Sequence, residues 1–341
     1  MRQTWLAVLT FALVGGMALS APAAAEDAQA FYRGKHIKWI VPYRPGGGYD
    51  QYSRLLEPYF EAYSGAAVDI VNVPGAGGMK GAVEIFRSPA DGLHIGVVNG
   101  SAMVASEIAD VRGADYVVAE YNFIGRIAAE ARALIVRADS GIHSFEAFLS
   151  AGRTIVLGAT GSGGSTYVDA VVSGFVFGVD QRIVRGFNSS ADIRLALLRG
   201  DIEAMWGSVG SSAQGVEAGD YRAIVHTDRR SIGLLKGVPS IFDLTSGLDA
   251  KALALIDAWS ALAEVGRPVV APPGAPADRI EFLRAVFGQA MNDPDFIEKA
   301  RAGGRELQYA DGVEMMQIVT RATDIDAMTR DVLTASIRGE R

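Results

Sequence analysis

Twice along this chain an apolar run breaks into a loop rich in glycine and serine that opens a helix, and this repeated unit limits the fold more than any other feature. In the first unit Ile37–Val41 reads as a buried strand and 42–50 as a tight turn. Leu55, Leu56, Tyr59, Phe60 and Tyr63 then recur at helical spacing. Val68–Val73 is a second strand, followed by Pro74-Gly75-Ala76-Gly77-Gly78 and a helix through Val83 and Phe86. The turn Asp91-Gly92 leads into a strand over Leu93–Val98. A second series starts near residue 125. Its strands are Arg132–Val136, Thr154–Leu157, Arg182–Phe187, Ala204–Trp206 and Ala223–Val225, with a Ser144-capped helix and an apolar helix over Tyr167–Phe177. Strand, short loop and helix in repetition is the pattern of an α/β sheet built from right-handed crossovers.

Hydrophobic residues make up 49% of 341 positions, more core than one domain of typical size needs. Two lobes are therefore expected, each a mixed sheet flanked by helices, with a ligand cleft between them. The first covers 26–127 plus about 258–341, and the second about 128–257. Residues 1–25 read as a signal peptide: Arg2 is the positive end, Trp5–Leu19 the apolar stretch, and Ala21-Pro22-Ala23-Ala24-Ala25 a small-residue cleavage site ending at Ala25. The apolar stretch falls short of the roughly 20 residues of a membrane span. An exported, periplasmic protein is expected. The chain has no Cys, so disulfides, thiol catalysis and thiolate metal sites are absent. A net charge of -7 without a basic patch argues against nucleic-acid binding.

Two loops could carry chemistry. Gly46, Gly47, Gly48, Tyr49 and Asp50 join a strand to a helix, where glycine lets the backbone approach a ligand and the first helical amides attract a carboxylate. Asp50 would fix the loop or accept a donor from ligand or water. The stretch from Gly158 to Ser165, with Thr160, Gly161, Ser162, Gly163 and Ser165, has the same ingredients. It lacks the lysine of a phosphate-cradling loop and does not meet the dinucleotide pattern. Two such loops point to a pincer on an anion, and a β-branched side chain at Gly47 or Gly161 is expected to abolish binding. His36, His94, His143 and His226 show no metal-ligand spacing, and no nucleophile elbow occurs. Trp206, Phe187 and Tyr49 could line a cleft, with core packing equally open for the first two. No cofactor, metal or catalytic residue is expected.

At these loops the chain resembles the substrate-binding proteins of tripartite tricarboxylate transporters, the Bug family. The resemblance is carried by Ile40-Val41-Pro42-Tyr43-Arg44-Pro45-Gly46-Gly47-Gly48-Tyr49-Asp50 with Arg54, by Asn72-Val73-Pro74-Gly75-Ala76-Gly77-Gly78, and by Pro89-Ala90-Asp91-Gly92. The loop at 158–165, Gly237-Val238-Pro239-Ser240 and 270–276 extend it over almost the whole chain. It implies a Venus-flytrap fold closing on one small organic acid, with a membrane permease as partner and a monomeric state. It also implies that the loops at 46–50 and 158–165 hold a ligand carboxylate, with Asn99 and Ser101 as a third contributor. Two departures concern the ligand: a bulky Tyr49, and an altered motif at Gly186-Phe187-Asn188. A receptor that signals would use the same clamp. An enzyme on this scaffold would need a nucleophile and base that the sequence does not offer.

Overall fold

The computed structural model describes residues 28–129, 131–229 and 235–339; the signal-peptide reading lies outside them. The described residues form two sheets, one of six strands and one of five.

The first sheet starts with β1 (His36–Val41), α1 (Gly48–Ser64) and β2 (Ala67–Asn72), then α2 (Met79–Phe86), β3 (His94–Val97), α3 (Gly100–Ile108) and β4 (Asn122–Arg126). β1 lies parallel to both β2 and β3. The expected helix after β1 forms because Tyr52, Leu56, Tyr59 and Phe60 share one stripe and are buried against the sheet. It stops at Gly65, which takes the left-handed conformation that glycine adopts at least cost.

The second sheet follows at once with β5 (Arg132–Arg137), α4 (Phe145–Leu149), β6 (Ile155–Ala159) and α5 (Ser165–Phe177). It continues through β7 (Gln181–Arg185), α6 (Ser190–Arg199), β8 (Ala204–Ser208), α7 (Val209–Glu217) and β9 (Tyr221–His226). β6 is parallel to β7 and β8, whereas β5 runs antiparallel to β8 and β9. The strand expected over Arg182–Phe187 ends at Arg185, so Gly186 and Phe187 leave the sheet towards the cleft.

The chain then returns to the first sheet. After α8 (Ala250–Val265), β10 (Pro268–Ala271) inserts between β3 and β4, antiparallel to both. α9 (Ala277–Met291), α10 (Pro294–Ala302), β11 (Ala310–Asp311), α11 (Gly312–Thr323) and α12 (Ala327–Arg338) complete the molecule, with β11 as the edge of this sheet.

One apolar core joins the two sheets. It runs from Ile40, Val98 and Phe123 through α3, α8, α11 and α12 to Leu134, Leu157 and Trp206. Trp259 of α8 packs edge-on against Trp206, with ring centroids 5.0 Å apart, and donates from Nε1 to Asp169 Oδ1 at 2.8 Å. Trp206 is fully buried and donates to Ser173 Oγ, which places it in the core and not in a cleft wall. Each such large side chain contributes about 1.5–3 kcal/mol by leaving water. No helix among the described residues is long and apolar enough to cross a membrane.

Candidate functional site

The strand ends of the two sheets face each other across a small cavity of about 30 Å³, room for a pair of waters in its present shape. From the first sheet come Tyr43, Gly47, Gly48, Tyr49 and Asn99; from the second, Arg132, Thr160, Ser165, Thr166 and Ser190. Gly207, Ser208 and Ser211, at the join of β8 and α7, and Arg267, just before β10, close it.

The loop between β1 and α1 is held from below by Asp50. This carboxylate is almost fully buried and accepts hydrogen bonds from the Gly46 N–H at 2.9 Å, Arg54 Nε at 3.0 Å and Asn72 Nδ2 at 3.0 Å. Burial alone would raise its pKa, but the bonds from Arg54, Gly46 and Asn72 hold it below the usual carboxylate range. Asp50 is thus the support of the loop, sitting within the first turn of α1 with Gly47 as the cap residue. No side chain caps α1, so its first N–H groups, which have no partner inside a helix, lie at the cavity wall. Gly48 sits close against side-chain ends: a Cβ there would displace the Ser211 hydroxyl and come within 2.8 Å of Arg267 Nη1, so a larger residue has to shift both.

The loop between β6 and α5 is built differently. The Thr160 N–H donates to Thr166 Oγ1 at 2.9 Å, and the Gly164 N–H to the Gly161 carbonyl at 2.9 Å. α5 also opens on a glycine, Gly164, with no side-chain cap. The loop rests on the Gly75–Gly78 loop of the first sheet, backbone against backbone. A Cβ on Gly161 would lie 2.8 Å from Gly77 N, and one on Gly163 2.6 Å from the Ala76 carbonyl oxygen.

Asn99 connects the two halves. Its Oδ1 accepts from the Ala102 N–H and Ser101 Oγ, which fixes the start of α3. Its Nδ2 donates to Tyr43 Oη at 2.8 Å and, across the cleft, to Ser165 Oγ at 3.0 Å. Deeper still, Arg132 pairs through Nε with Asp169 Oδ2 at 2.6 Å, both buried.

Of the residues singled out in the sequence, Gly47, Gly48, Tyr49, Asn99, Thr160 and Ser165 line the cavity. Gly46, Asp50 and Ser101 stand behind it as supports, and Gly163 packs on Ala76 and Met79. Gly161 and Ser162 line an outer recess with Arg185, Gly186, Phe187 and Asn188. The aromatic face of Tyr49 is turned to Arg267, whose guanidinium carbon lies 4.5 Å from the ring centre.

The Thr166 hydroxyl, noted in the sequence beside those of Thr160 and Ser165, also lines the cavity, whereas sequence reasoning missed Tyr43, Arg132, Ser190, Ser208, Ser211 and Arg267. The last is 3% exposed and donates from Nη2 to Ser208 Oγ at 2.9 Å. Its one local signal was a lone charge in the apolar stretch Val265-Gly266-Arg267-Pro268-Val269. Buried arginines are rare without a partner or a task.

This is the architecture of a two-lobed periplasmic binding protein. BugD, a periplasmic binding protein of known structure, superposes with a TM-score of 0.76 at 19% identity, covering 89% of this chain and 98% of its own. MatC from Rhodopseudomonas palustris, solved with bound malate, gives 0.73 at 19% identity over 88% and 99% of the two chains. The UPF0065 protein of the tcbD-tcbE intergenic region from Pseudomonas sp. (strain P51) is 26% identical over 311 residues, 88% of this chain and 89% of that protein. The family described as the tripartite tricarboxylate transporter family receptor matches residues 60–326. The chain therefore belongs to the solute-binding receptors of the tripartite tricarboxylate transporter family.

Proposed function

We propose that this protein is exported, captures a small carboxylate-bearing solute between its lobes as a monomer, and presents it to the membrane components of a tripartite tricarboxylate-type transporter. The observation that carries the reading is the convergence of two uncapped helix N-termini, α1 at Gly48 and α5 at Ser165, from different sheets onto one cavity. Such termini offer N–H donors and a partial positive charge, which suit an anion. MatC, which carries malate, shares this fold. Charge-assisted hydrogen bonds are worth about 1.5–3 kcal/mol each, so a few of them reach micromolar affinity, about -8 kcal/mol, after the costs of ordering.

Residues 26–127 with about 258–341, and about 128–257, act as the two jaws. Gly47, Gly48, Tyr49, Asn99, Thr160 and Ser165 hold the carboxylate, and Gly46, Asp50, Ser101, Gly161, Ser162 and Gly163 support the two loops, without cofactor or metal. Closing brings the Gly77 and Gly161 backbones together and completes the Asn99–Ser165 bond. A ligand shifts that equilibrium only by its preference for the closed form.

The test is a thermal-shift screen of the purified protein against small carboxylates and their matched amides. At 100 times its dissociation constant, a ligand adds about 2.7 kcal/mol of apparent stability. Stabilisation by an acid whose amide is silent supports the clamp. Stabilisation by neutral solutes alone contradicts it.

A further inference from the structure

We infer that Tyr43 is a positioning residue for closure: its hydroxyl shapes the Gly75–Gly78 loop, the platform on which the second lobe rests. Tyr43 thereby ties the carboxylate seat to the contact between the lobes. This rests on the clamp reading above and names a side chain through which the clamp is set.

The platform is held in a conformation that side chains resist. Gly75, Ala76, Gly77 and Gly78 all take positive φ, at 144°, 48°, 72° and 105°. The glycines do so at little cost, but Ala76 carries a Cβ. Among the described residues Asp110 is the one other non-glycine with a positive φ. Such a run persists where its surroundings hold it in place. Within the loop the Gly78 N–H donates to the Gly75 carbonyl at 2.9 Å. From outside the loop, Tyr43 Oη donates to the Gly77 carbonyl at 2.6 Å. Gly78 leaves room for this approach, since a Cβ there would lie 2.9 Å from Tyr43 Oη.

The stretch that Tyr43 steadies is the one that faces the second lobe. A Cβ on Gly77 would come within 2.6 Å of the Gly163 carbonyl carbon, and one on Gly164 within 3.1 Å of the Gly77 oxygen. Backbone meets backbone here, with no side chain between to absorb an error in position. A small shift of the platform therefore spoils the whole contact.

Tyr43 is itself fixed from several sides. Its carbonyl accepts from Asn72 Nδ2 at 2.8 Å, and Asn72 also donates to the buried Asp50 carboxylate. Its ring lines the cavity beside Tyr49, with centroids 4.9 Å apart. Its hydroxyl accepts from Asn99 Nδ2, which also donates to Ser165 Oγ in the second lobe. A chain of hydrogen bonds thus runs from Ser165 through Asn99 and Tyr43 to Gly77, which packs back onto Gly163 and Gly164. Bonds linked in this way respond together, so a carboxylate that settles against Asn99 or Ser165 also steadies the platform.

The test is hydrogen exchange on the full purified chain, read for residues 75–80 and 160–165, with Tyr43→Phe set against the wild type. Phenylalanine keeps the ring and removes only the hydroxyl. With no acid present, exchange should rise about tenfold in both segments while the melting midpoint moves by no more than about 2 °C. The second segment lies in the lobe that carries no substitution. A rise confined to 75–80 overturns the inference, because the hydroxyl then braces only its own loop. So does no rise in either segment. Should Tyr43→Phe unfold the chain, Ser165→Ala decides from the other side: faster exchange at 75–80 supports the link, and an unchanged rate there overturns it. Malate, succinate and adipate added to the wild type test the clamp separately. If none of them slows exchange in either segment, the carboxylate reading fails, while the result of the variants on the empty chain still stands.

Discussion

The two loops of the clamp look alike in sequence and are stabilised in opposite ways. The loop at 42–48 is braced mainly from its own lobe, where the buried Asp50 carboxylate gathers Gly46, Arg54 and Asn72 beneath it, with one longer bond across the cleft from the Arg44 N–H to the Asn188 carbonyl at 3.4 Å. The loop at 160–165 has no charged support. It relies on the hydroxyl pair Thr160 and Thr166 and on the Gly75–Gly78 loop of the other lobe. The first loop is thus braced by a buried charge network, and the second by hydroxyls and by backbone contact with the facing loop. If the proposed clamp operates, the loop at 42–48 would offer a prebuilt carboxylate seat and the loop at 160–165 would couple that recognition to closure.

The sharpest way to break the comparison is Gly161→Val. Its new methyl groups meet the backbone of Gly77 in the opposite lobe. Closure should be blocked, with affinity falling on the order of 100-fold. The ligand-free melting midpoint should move by no more than about 2 °C, because the clash exists only across the cleft. Small-angle scattering with and without ligand checks the first part and calorimetry the second.

Asp50→Ala comes next and should act oppositely, on stability as well as binding. Removing an acceptor of several charge-assisted bonds costs about 2–3 kcal/mol, read from chemical denaturation. The same contrast can be probed with pH. The folded-state pKa of Asp50 is depressed, so its contribution is complete above the unfolded value of about 3.9 and is lost as pH falls through the lower folded value. The protection factor of the Gly46 amide should therefore drop in that acid window. That of the Gly164 amide, bonded to a carbonyl, should drop later, with global unfolding.

The smallest effect is expected at Gly47. The loop at 42–50 and the one at 158–165 were expected to exclude a side chain alike, but a Cβ on Gly47 finds Ser189 Cβ at 3.4 Å and an ordinary backbone conformation. Gly47→Ala should change stability by less than about 0.5 kcal/mol and leave the closed form accessible. The tighter position in this loop is its neighbour Gly48, where a side chain must displace Ser211 and Arg267.

These contrasts mark how far the sequence could be read. β1, α1, β6 and α5 were legible because each strand, loop and helix is contiguous and its apolar period is local. The antiparallel insertion of β10 between β3 and β4 was not, since a strand's partners are set by packing across more than a hundred residues. The site divides the same way. Gly48, Tyr49, Thr160 and Ser165 sit in motifs. Ser208 and Ser211 reach the cavity because β8 ends at the cleft, in a Gly/Ser-rich stretch at 207–212 that sequence reasoning passed over, and Arg267 because β10 begins there, with no loop signature around it.

The most direct measurement is a crystal structure with the tightest-binding acid from the thermal screen. One ligand carboxylate should lie within hydrogen-bond reach of the first amides of both α1 and α5, beside Asn99 and Ser165. A carboxylate that touches only one of these helix ends, or an acid seated outside the cleft, would contradict it.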